Sequence, residues 1–168
     1  MESNAPLTFA AVQDCSALTI RELIDRYAQT CPEQVFAVFP DTDSEVSWSQ
    51  LQVICQRLHA YLDSLGAVPG DRIGMLSANG QSALEVFLGC MYGGFTVATF
   101  NPVAGDAALR YVLNHSEVRI LFADEGNADA ASQICEEALP NLKVIRTRAI
   151  ESPDLHEVEA GGLCASPD

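Results

Sequence analysis

An alternation of short apolar runs with amphipathic segments is the feature that most constrains the fold of this chain. From residue 72 onward, strand-like runs that are apolar almost throughout are followed by segments with helical spacing. The predicted elements are a strand at 72–76, a helix at 81–92, a strand at 95–100, a helix at 106–114, a strand at 118–123, a helix at 128–139 and a short strand at 143–146. Because such strands are buried on both faces, the pattern predicts an α/β fold with a mostly parallel sheet and helices on both faces.

The first part of the chain is predicted to add a helix and a hairpin. Apolar residues at mostly helical spacing predict an amphipathic helix over 18–28, and Pro32 marks its end. A continuous apolar run at 35–39 is followed by a turn-rich stretch at 40–43 and then by Val46. This order predicts a strand and a hairpin.

The next helix has a start signal in the sequence. Ser47 and Gln50 form a Ser-x-x-Gln capping box, in which the hydroxyl and the amide satisfy backbone N–H groups that would otherwise lack partners. Apolar residues follow on one face as far as Leu65, and Gly66 supplies a left-handed end. The sequence therefore predicts a second amphipathic helix after the hairpin.

The chain of 168 residues divides into one predicted domain and two flanking segments. Residues 1–17 are predicted to be an amino-terminal extension and 18–150 the α/β subdomain. Residues 151–168 lose periodicity and collect glycine and proline, which predicts a surface linker.

Charge and cysteine content exclude several classes of protein. The formal net charge is -14 at pH 7 and Lys143 is the only lysine, whereas a nucleic-acid partner needs a concentrated basic surface. We therefore expect no nucleic-acid partner, and we interpret the acidity as a solvated surface rather than as a site for a basic partner. The six cysteines include no C-x-x-C pair, which predicts buried, reduced thiols rather than a disulfide framework or a zinc site.

The start of the chain and its longest uncharged run predict a cytoplasmic protein. Glu2 stands where a secretory signal needs basic residues, and no long apolar region follows it. The longest uncharged run, 86–100, would span about 22 Å as a helix, short of the roughly 30 Å hydrocarbon core. We therefore expect neither export nor a transmembrane segment.

Three common signatures of nucleotide or acyl-transfer chemistry are absent from the sequence. No lysine follows glycine as a phosphate-binding loop requires, no G-x-G-x-x-G follows a predicted strand, and no G-x-S-x-G elbow occurs. His59, His115 and His156 have no cysteine or carboxylate at metal-ligand spacing, so each is interpreted as a surface histidine. We therefore predict no catalytic residue and no metal ligand in this chain.

Two asparagines are the candidate cofactor-binding residues. Asn79 follows a strand and opens a helix, so that an asparagine cap would leave backbone donors at the carboxyl edge of the sheet, and Asn101 follows the next strand. A plain helix cap is the competing interpretation of Asn79. Gly89 and Gly93 suggest either a close approach to a ligand or glycines that let a helix pack on the sheet.

Several short motifs occur in order between residues 46 and 124. They are Ser47-Trp48-Ser49-Gln50-Leu51 at a helix start; Leu65-Gly66 with Pro69-Gly70-Asp71-Arg72-Ile73; Asn79 after a strand; Gly93-Gly94 leading to Phe100-Asn101-Pro102; and Leu109-x-Tyr111-x-Leu113 followed by Ser116. In order and spacing, this run resembles the flavodoxin-like amino-terminal subdomain of the adenylate-forming superfamily. That superfamily includes acyl-CoA synthetases, firefly-type luciferases and the adenylation domains of peptide synthetases.

The resemblance implies an AMP-forming acid–thiol ligase in the complete enzyme. In this family a carboxylate attacks the α-phosphate of ATP to give an acyl-adenylate, and a thiol then displaces AMP, with Mg²⁺ required. Asn101-Pro102 resembles the acyl-CoA synthetase branch more than the peptide synthetase domains, which commonly carry aspartate before that proline. We therefore expect a small-molecule carboxylate, ATP, Mg²⁺ and CoA as ligands of the full-length enzyme.

The resemblance also implies what this chain lacks. The family's phosphate loop, adenine-binding segment, magnesium-binding glutamate, ribose-binding aspartate and carboxy-terminal lysine have no counterpart here, and 151–168 is similar to the linker that precedes the phosphate loop. This chain alone is therefore expected to be inactive and to bind none of these cofactors tightly. Self-association through apolar surface left exposed is a further hypothesis.

Besides the favoured interpretation, that the chain is part of an acyl-CoA synthetase, three alternatives stay open at this stage. The chain could be part of a peptide synthetase adenylation domain, a standalone flavodoxin-like interaction or regulatory module, or a fragment that pairs with a separate catalytic polypeptide. A receiver-type signalling module would need a phospho-accepting aspartate after its third strand, where Phe100-Asn101-Pro102 offers none.

Overall fold

The computed structural model describes residues 18–139, 141–149, 151 and 153, and these contain five helices and six strands. In chain order they are α1 (Ile20–Thr30), β1 (Val35–Phe39), β2 (Ser44–Ser47), α2 (Trp48–Ser64), β3 (Arg72–Leu76), α3 (Gln81–Gly93), β4 (Thr96–Thr99), α4 (Asp106–Ser116), β5 (Ile120–Asp124), α5 (Ala128–Ala138) and β6 (Lys143–Thr147). Every element predicted within the described residues is present.

The main sheet has four parallel strands in the order β4-β3-β5-β6, which confirms the parallel sheet expected from the apolar strands. After β3 the chain adds β4 on one side of it and then crosses back to place β5 on the other side. The strand order therefore reverses between β3 and β5. β1 and β2 form a separate antiparallel hairpin, as the turn-rich stretch between them predicts.

Helices cover both faces of the sheet because alternate residues of the central strands point to opposite sides. Ile120 and Phe122 of β5 belong to a core cluster with residues of α2 and α3, whereas Leu121 and Ala123 pack in a second cluster with α4 and α5. All five residues of β5 are buried, as a central strand covered on both faces requires. A third cluster packs α1 and the hairpin against α2 around Trp48.

Local signals place several element ends where the sequence predicts them. The Ser47 hydroxyl accepts the Gln50 N–H at 3.4 Å, and the Gln50 side chain accepts the Ser47 N–H at 2.8 Å, so the capping box at the start of α2 is confirmed. Gly66, just beyond α2, has a φ of 78°, which is the left-handed conformation expected there.

Three elements begin later than predicted for local reasons, and several element ends differ from the prediction by one or two residues. The first helix begins at Ile20 because Thr19 forms a second capping box with Glu22. β4 begins at Thr96 because the Phe95 N–H is donated to the Cys90 carbonyl at the end of α3. β5 begins at Ile120 because Glu117, with a φ of 56°, ends α4 in a left-handed conformation.

The described cysteines are free thiols. Cys55, Cys90 and Cys135 are buried and Cys31 is partly buried, while Cys15 and Cys164 lie outside the described residues. Burial raises the pKa of the Cys55 and Cys90 thiols to about 12. Within the part of the chain that the structure describes, no helix has the length and apolar character needed to cross a membrane.

Candidate functional site

A groove of about 580 Å³ lies at the carboxyl edge of the sheet, bordered by the segments that follow β3, β5 and β6. Its lining residues are Ala78, Asp124, Glu125, Gly126, Asn127, Arg148, Ala149 and Glu151. The groove spans the point where the strand order reverses between β3 and β5. Ligands of open α/β sheets bind outside the carboxyl ends of the strands at such a reversal. This position makes the groove the candidate functional site.

Asp124, the last residue of β5, connects two of the segments that border the groove. Asp124 is only 2% exposed, and its Oδ2 accepts the Ala78 N–H at 2.7 Å. Oδ1 accepts the Asn127 side-chain amide at 2.6 Å. A buried carboxylate is tolerated when donors satisfy it in this way. Asp124 therefore fixes the segment after β3 against the start of α5.

Arg148 is the only cation among the described residues that line the groove. Its Nε lies 3.2 Å from Glu125 Oε1, and its Nη1 lies 3.0 Å from Glu151 Oε2. The Arg148 side chain is 59% exposed, so each pair contributes about 1 kcal/mol or less. Three carboxylates and one arginine thus line the groove, which gives it an excess of negative charge.

The start of α3 lies at the same edge, and it is not capped by Asn79. Gly80 occupies the N-cap position with an extended backbone, and no side chain caps the helix. The predicted asparagine cap is therefore wrong, because Asn79 lies one residue too early for its side chain to take the capping role. The Ser82 N–H instead donates to the Ala149 carbonyl at 3.3 Å, which joins α3 to the segment after β6.

Two buried hydroxyl groups lie near this junction. Ser82 is 1% exposed and Thr147 is 6% exposed. Among the described residues, Ser82 Oγ and Thr147 Oγ1 have no hydrogen-bond partner. Buried polar atoms of this kind are uncommon in folded proteins, so both hydroxyls mark the carboxyl edge as a place where polar groups are incompletely satisfied.

Asn101 follows β4, on the far side of β3 from the groove. Its Oδ1 accepts the Val103 N–H at 3.1 Å, so the side chain closes a local turn. Neither Asn79 nor Asn101 is among the residues that line the groove, and both are exposed. The structure does not bring the two candidate residues together, and their contact with a cofactor stays a prediction.

Sequence reasoning missed the residues that line the groove. The predicted strand at 118–123 stops one residue before Asp124, so the sequence analysis assigns Asp124 no role. The available signal was a polar residue that directly follows a buried strand and precedes Gly126 and a helix. The contact with Ala78, 46 positions away, becomes visible only once the neighbouring strands are known.

Gly89 and Gly93 have a packing role in the structure. A Cβ at Gly89 would lie 2.5 Å from Leu58 Cδ2, and one at Gly93 would lie 2.5 Å from Phe95 Cε2. Both glycines therefore permit close packing of α3, which was one of the two predicted interpretations.

The described histidines differ in their exposure. His59, interpreted from the sequence as a surface histidine, is only partly exposed: its side chain is 26% exposed with Nε2 3.3 Å from Asp63 Oδ2, while its Nδ1 is buried next to Gly93. His115 is exposed and its ring contacts the Tyr111 carbonyl, and His156 lies outside the described residues. Among the described residues, no group of three or more metal-ligating side chains is present.

Comparisons with known proteins place the fold among enzymes that bind AMP. A family model described as AMP-binding enzyme matches residues 24–162. A 3-methylmercaptopropionyl-CoA ligase from Ruegeria lacuscaerulensis is 34% identical over 110 residues, which cover 64% of this chain and 20% of that ligase. This chain therefore spans about a fifth of the length of that relative.

Two solved structures share the fold. A benzoate CoA ligase from Burkholderia xenovorans LB400 has a TM-score of 0.72 at 22% sequence identity, covering 89% of this chain and 31% of that chain. ATP-bound MatB from Rhodopseudomonas palustris has a TM-score of 0.70 at 19% sequence identity, covering 86% of this chain and 28% of that chain. In both comparisons the described fold corresponds to roughly a third or less of the larger protein.

Proposed function

The chain belongs to the AMP-binding enzyme family, and on that premise we propose that it is the front part of an ATP-dependent acid–CoA ligase. The complete enzyme would activate a carboxylic acid as an acyl-adenylate and transfer the acyl group to CoA. The observation that carries this proposal is the family match over 24–162, supported by a relative at 34% identity that is named as a CoA ligase.

We propose that the carboxyl edge of the sheet faces the catalytic part of the complete enzyme. The reversal of strand order between β3 and β5 supports this choice of edge. Asp124 would act as a positioning residue, because its two hydrogen bonds hold the segment after β3 and the start of α5 in fixed positions. Asn79 and Asn101 would extend from neighbouring loops of the same edge, and their contact with a cofactor is part of the proposal.

The residues of the groove do not fit a tightly bound triphosphate. Phosphate groups are held by cationic side chains, metal ions and backbone donors, whereas the described lining has one arginine and three carboxylates. Arg148 is already paired with Glu125 and Glu151. We therefore propose that the groups that bind ATP and Mg²⁺ lie outside the described residues and that this chain alone is catalytically inert.

The proposal also specifies which thiol accepts the acyl group. CoA, rather than the thiol of a carrier protein, is supported by the name of the relative at 34% identity and by Asn101-Pro102. A small-molecule carboxylate is the proposed substrate of the complete enzyme.

A calorimetric titration of this chain with MgATP tests the proposal that it is inert. We expect no saturable heat at nucleotide concentrations up to about 1 mM, because the groove lacks uncommitted cations. Micromolar binding of MgATP would overturn this part of the account.

A second assay tests the assignment as a CoA ligase. It would measure AMP release by the complete protein encoded by the reading frame that contains this chain. If no carboxylic acid in a broad panel gave CoA-dependent AMP release, the assignment as a CoA ligase would fail.

Self-association also remains a proposal. Phe87 and Met91 lie one turn apart on α3 and are 36% and 37% exposed. Such neighbouring apolar side chains favour association when no other part of a protein covers them. Light scattering would then give an apparent mass that rises with concentration, whereas a monomer over a wide concentration range would count against association.

A further inference from the structure

An asparagine followed by a glycine lies at the carboxyl edge of the sheet, between β3 and α3. Asn79 and Gly80 form a bend outside any helix or strand, and Asn79 is exposed. Before this pair, the Ala78 N–H is donated to Asp124, and after it Gly80 is the N-cap of α3. The pair is therefore a short, accessible segment between two fixed points.

Neither reactive group of this pair is held by the fold. Among the described residues, the Asn79 side-chain amide forms no hydrogen bond and the Gly80 N–H has no acceptor. Gly80 has an extended backbone with a φ of 167°, and it has no side chain that would shield its nitrogen. The side-chain carbonyl carbon of Asn79 and the nitrogen of Gly80 are thus free to approach each other.

Three other asparagines lack this combination. Asn127 follows β5 as Asn79 follows β3, but its side-chain amide is restrained by a hydrogen bond of 2.6 Å to Asp124 Oδ1. Asn101 precedes a proline, whose nitrogen carries no proton. Asn114 lies inside α4, where the helix restrains the backbone. Asn79 differs from all three because its side chain is unbound and its neighbour is unhindered.

This arrangement suits an intramolecular reaction between the two residues. The deprotonated nitrogen of Gly80 attacks Cγ of Asn79, the bond from Cγ to the side-chain nitrogen breaks, and that nitrogen takes up a proton and leaves as ammonia. Water then opens the cyclic succinimide at either carbonyl. Opening at the main-chain carbonyl gives isoaspartate, and opening at the side-chain carbonyl gives aspartate. The reaction is one chemical reason why asparagine is a thermolabile residue.

We propose that Asn79-Gly80 is a site of spontaneous deamidation, at which the folded chain accumulates isoaspartate and aspartate. The reaction consumes only water and does not depend on the proposed ligase activity. Its failure would therefore leave the proposed function untouched.

The two products change the carboxyl edge in different ways. Aspartate at position 79 adds a negative charge beside the start of α3, where the helix dipole favours it. Isoaspartate routes the main chain through the side chain, which lengthens the backbone between Ala78 and Gly80 by a methylene group. Because Ala78 is bonded to Asp124 and α3 is packed against α2, the longer backbone strains this connection.

Incubation of the chain in ammonia-free, mildly alkaline buffer tests the proposal. The tryptic peptides 73–110 and 120–143 separate Asn79 from Asn127, and mass spectrometry measures the replacement of an NH₂ group by OH in each peptide. An isoaspartyl-specific methyltransferase then measures isoaspartate. We expect Asn79 to react in the native chain within about tenfold of its rate in the urea-unfolded chain, and at least about tenfold faster than Asn127.

Two variants assign the product to this pair. Asn79→Gln should abolish isoaspartate formation, because the longer side chain disfavours ring closure. Gly80→Ala should slow the reaction by about tenfold or more, because a methyl group hinders the attacking nitrogen, and the extended backbone at this position accepts alanine. Asn114→Gln, at an exposed position of α4, is the matched control and should leave the yield unchanged.

Urea unfolding measures the consequence for the carboxyl edge. The aged chain, enriched in isoaspartate, should unfold at a lower urea concentration than the Asn79→Asp variant, which carries the same charge without the longer backbone. Equal midpoints would contradict the inferred strain.

Three results would each overturn the proposed site. They are a rate at Asn79 more than about tenfold below that of the unfolded chain, modification of Asn127 as rapid as that of Asn79, and an unchanged isoaspartate yield in Asn79→Gln or in a folded Gly80→Ala variant.

Discussion

The two edges of the parallel sheet use charged residues in different ways. At the carboxyl edge, Asp124 is 2% exposed and binds a backbone N–H and an amide, so its charge fixes the local structure. At the amino edge, the Arg119 and Asp71 side chains are 65% and 20% exposed and pair across 3.4 Å. The carboxyl edge therefore contains a buried, hydrogen-bonded carboxylate in addition to the exposed ion pairs of Arg148, whereas the pair of Arg119 and Asp71 at the amino edge is open to solvent.

Because of this difference, substitutions at the two edges should have different effects on stability. Removal of a partner from a buried hydrogen bond leaves a desolvated group unsatisfied, and it therefore changes stability strongly. Removal of an exposed charge changes stability little but alters the binding of ions. We therefore expect larger changes in stability from substitution of Asp124 at the carboxyl edge than from substitution of Asp71 at the amino edge.

The largest effect is expected for Asp124→Ala. The substitution leaves the Ala78 N–H without its acceptor and opens a small cavity, so we expect a loss of about 3 kcal/mol in the free energy of unfolding. Asp124→Asn is the matched control, since it preserves shape and one acceptor, and should cost about half as much. Urea unfolding measures both values, and a loss under about 1 kcal/mol for the alanine variant would show that the carboxylate does not hold this edge.

A smaller effect is expected for Asp71→Ala at the amino edge. Asp71 accepts the Val68 N–H at 3.0 Å and pairs with an exposed arginine, so its removal should cost about 1 kcal/mol. The same urea experiment applies. If Asp71→Ala were as damaging as Asp124→Ala, the contrast between the two edges would be lost.

A small stabilisation is expected for Thr147→Val. Thr147 is buried and its hydroxyl has no partner among the described residues, so a valine of similar shape removes an unsatisfied group and should gain about 0.5–1 kcal/mol. Thr99→Val, at an exposed position of β4, is the control and should change stability by less than about 0.5 kcal/mol. A loss of more than about 1 kcal/mol for Thr147→Val would reveal a partner for the hydroxyl.

Sequence periodicity predicts most of this fold because it is local. The four strands of the main sheet and the capping box at Ser47 depend on patterns of a few neighbouring residues, and the structure confirms them. The choice between Asn79 and Gly80 as the cap of α3 depends on the backbone path from β3, which composition does not encode.

The candidate site was harder to predict because its contacts are long-range. Asp124 meets Ala78 only after β3 and β5 become neighbours, and Ser82 meets Ala149 only after β6 joins the sheet. The resemblance identified the family that the family model also matches, but it gave no role to the residues that line the groove.

Hydrogen exchange in the complete enzyme tests the central claim most directly. The amide protection of the segments at 77–80 and 124–127 would be compared with that of 66–71 and 141–143, before and after addition of MgATP and a carboxylic acid substrate. If the carboxyl edge faces the catalytic part, protection should rise at the first two segments and stay constant at the other two. Increased protection confined to the amino edge would contradict the account.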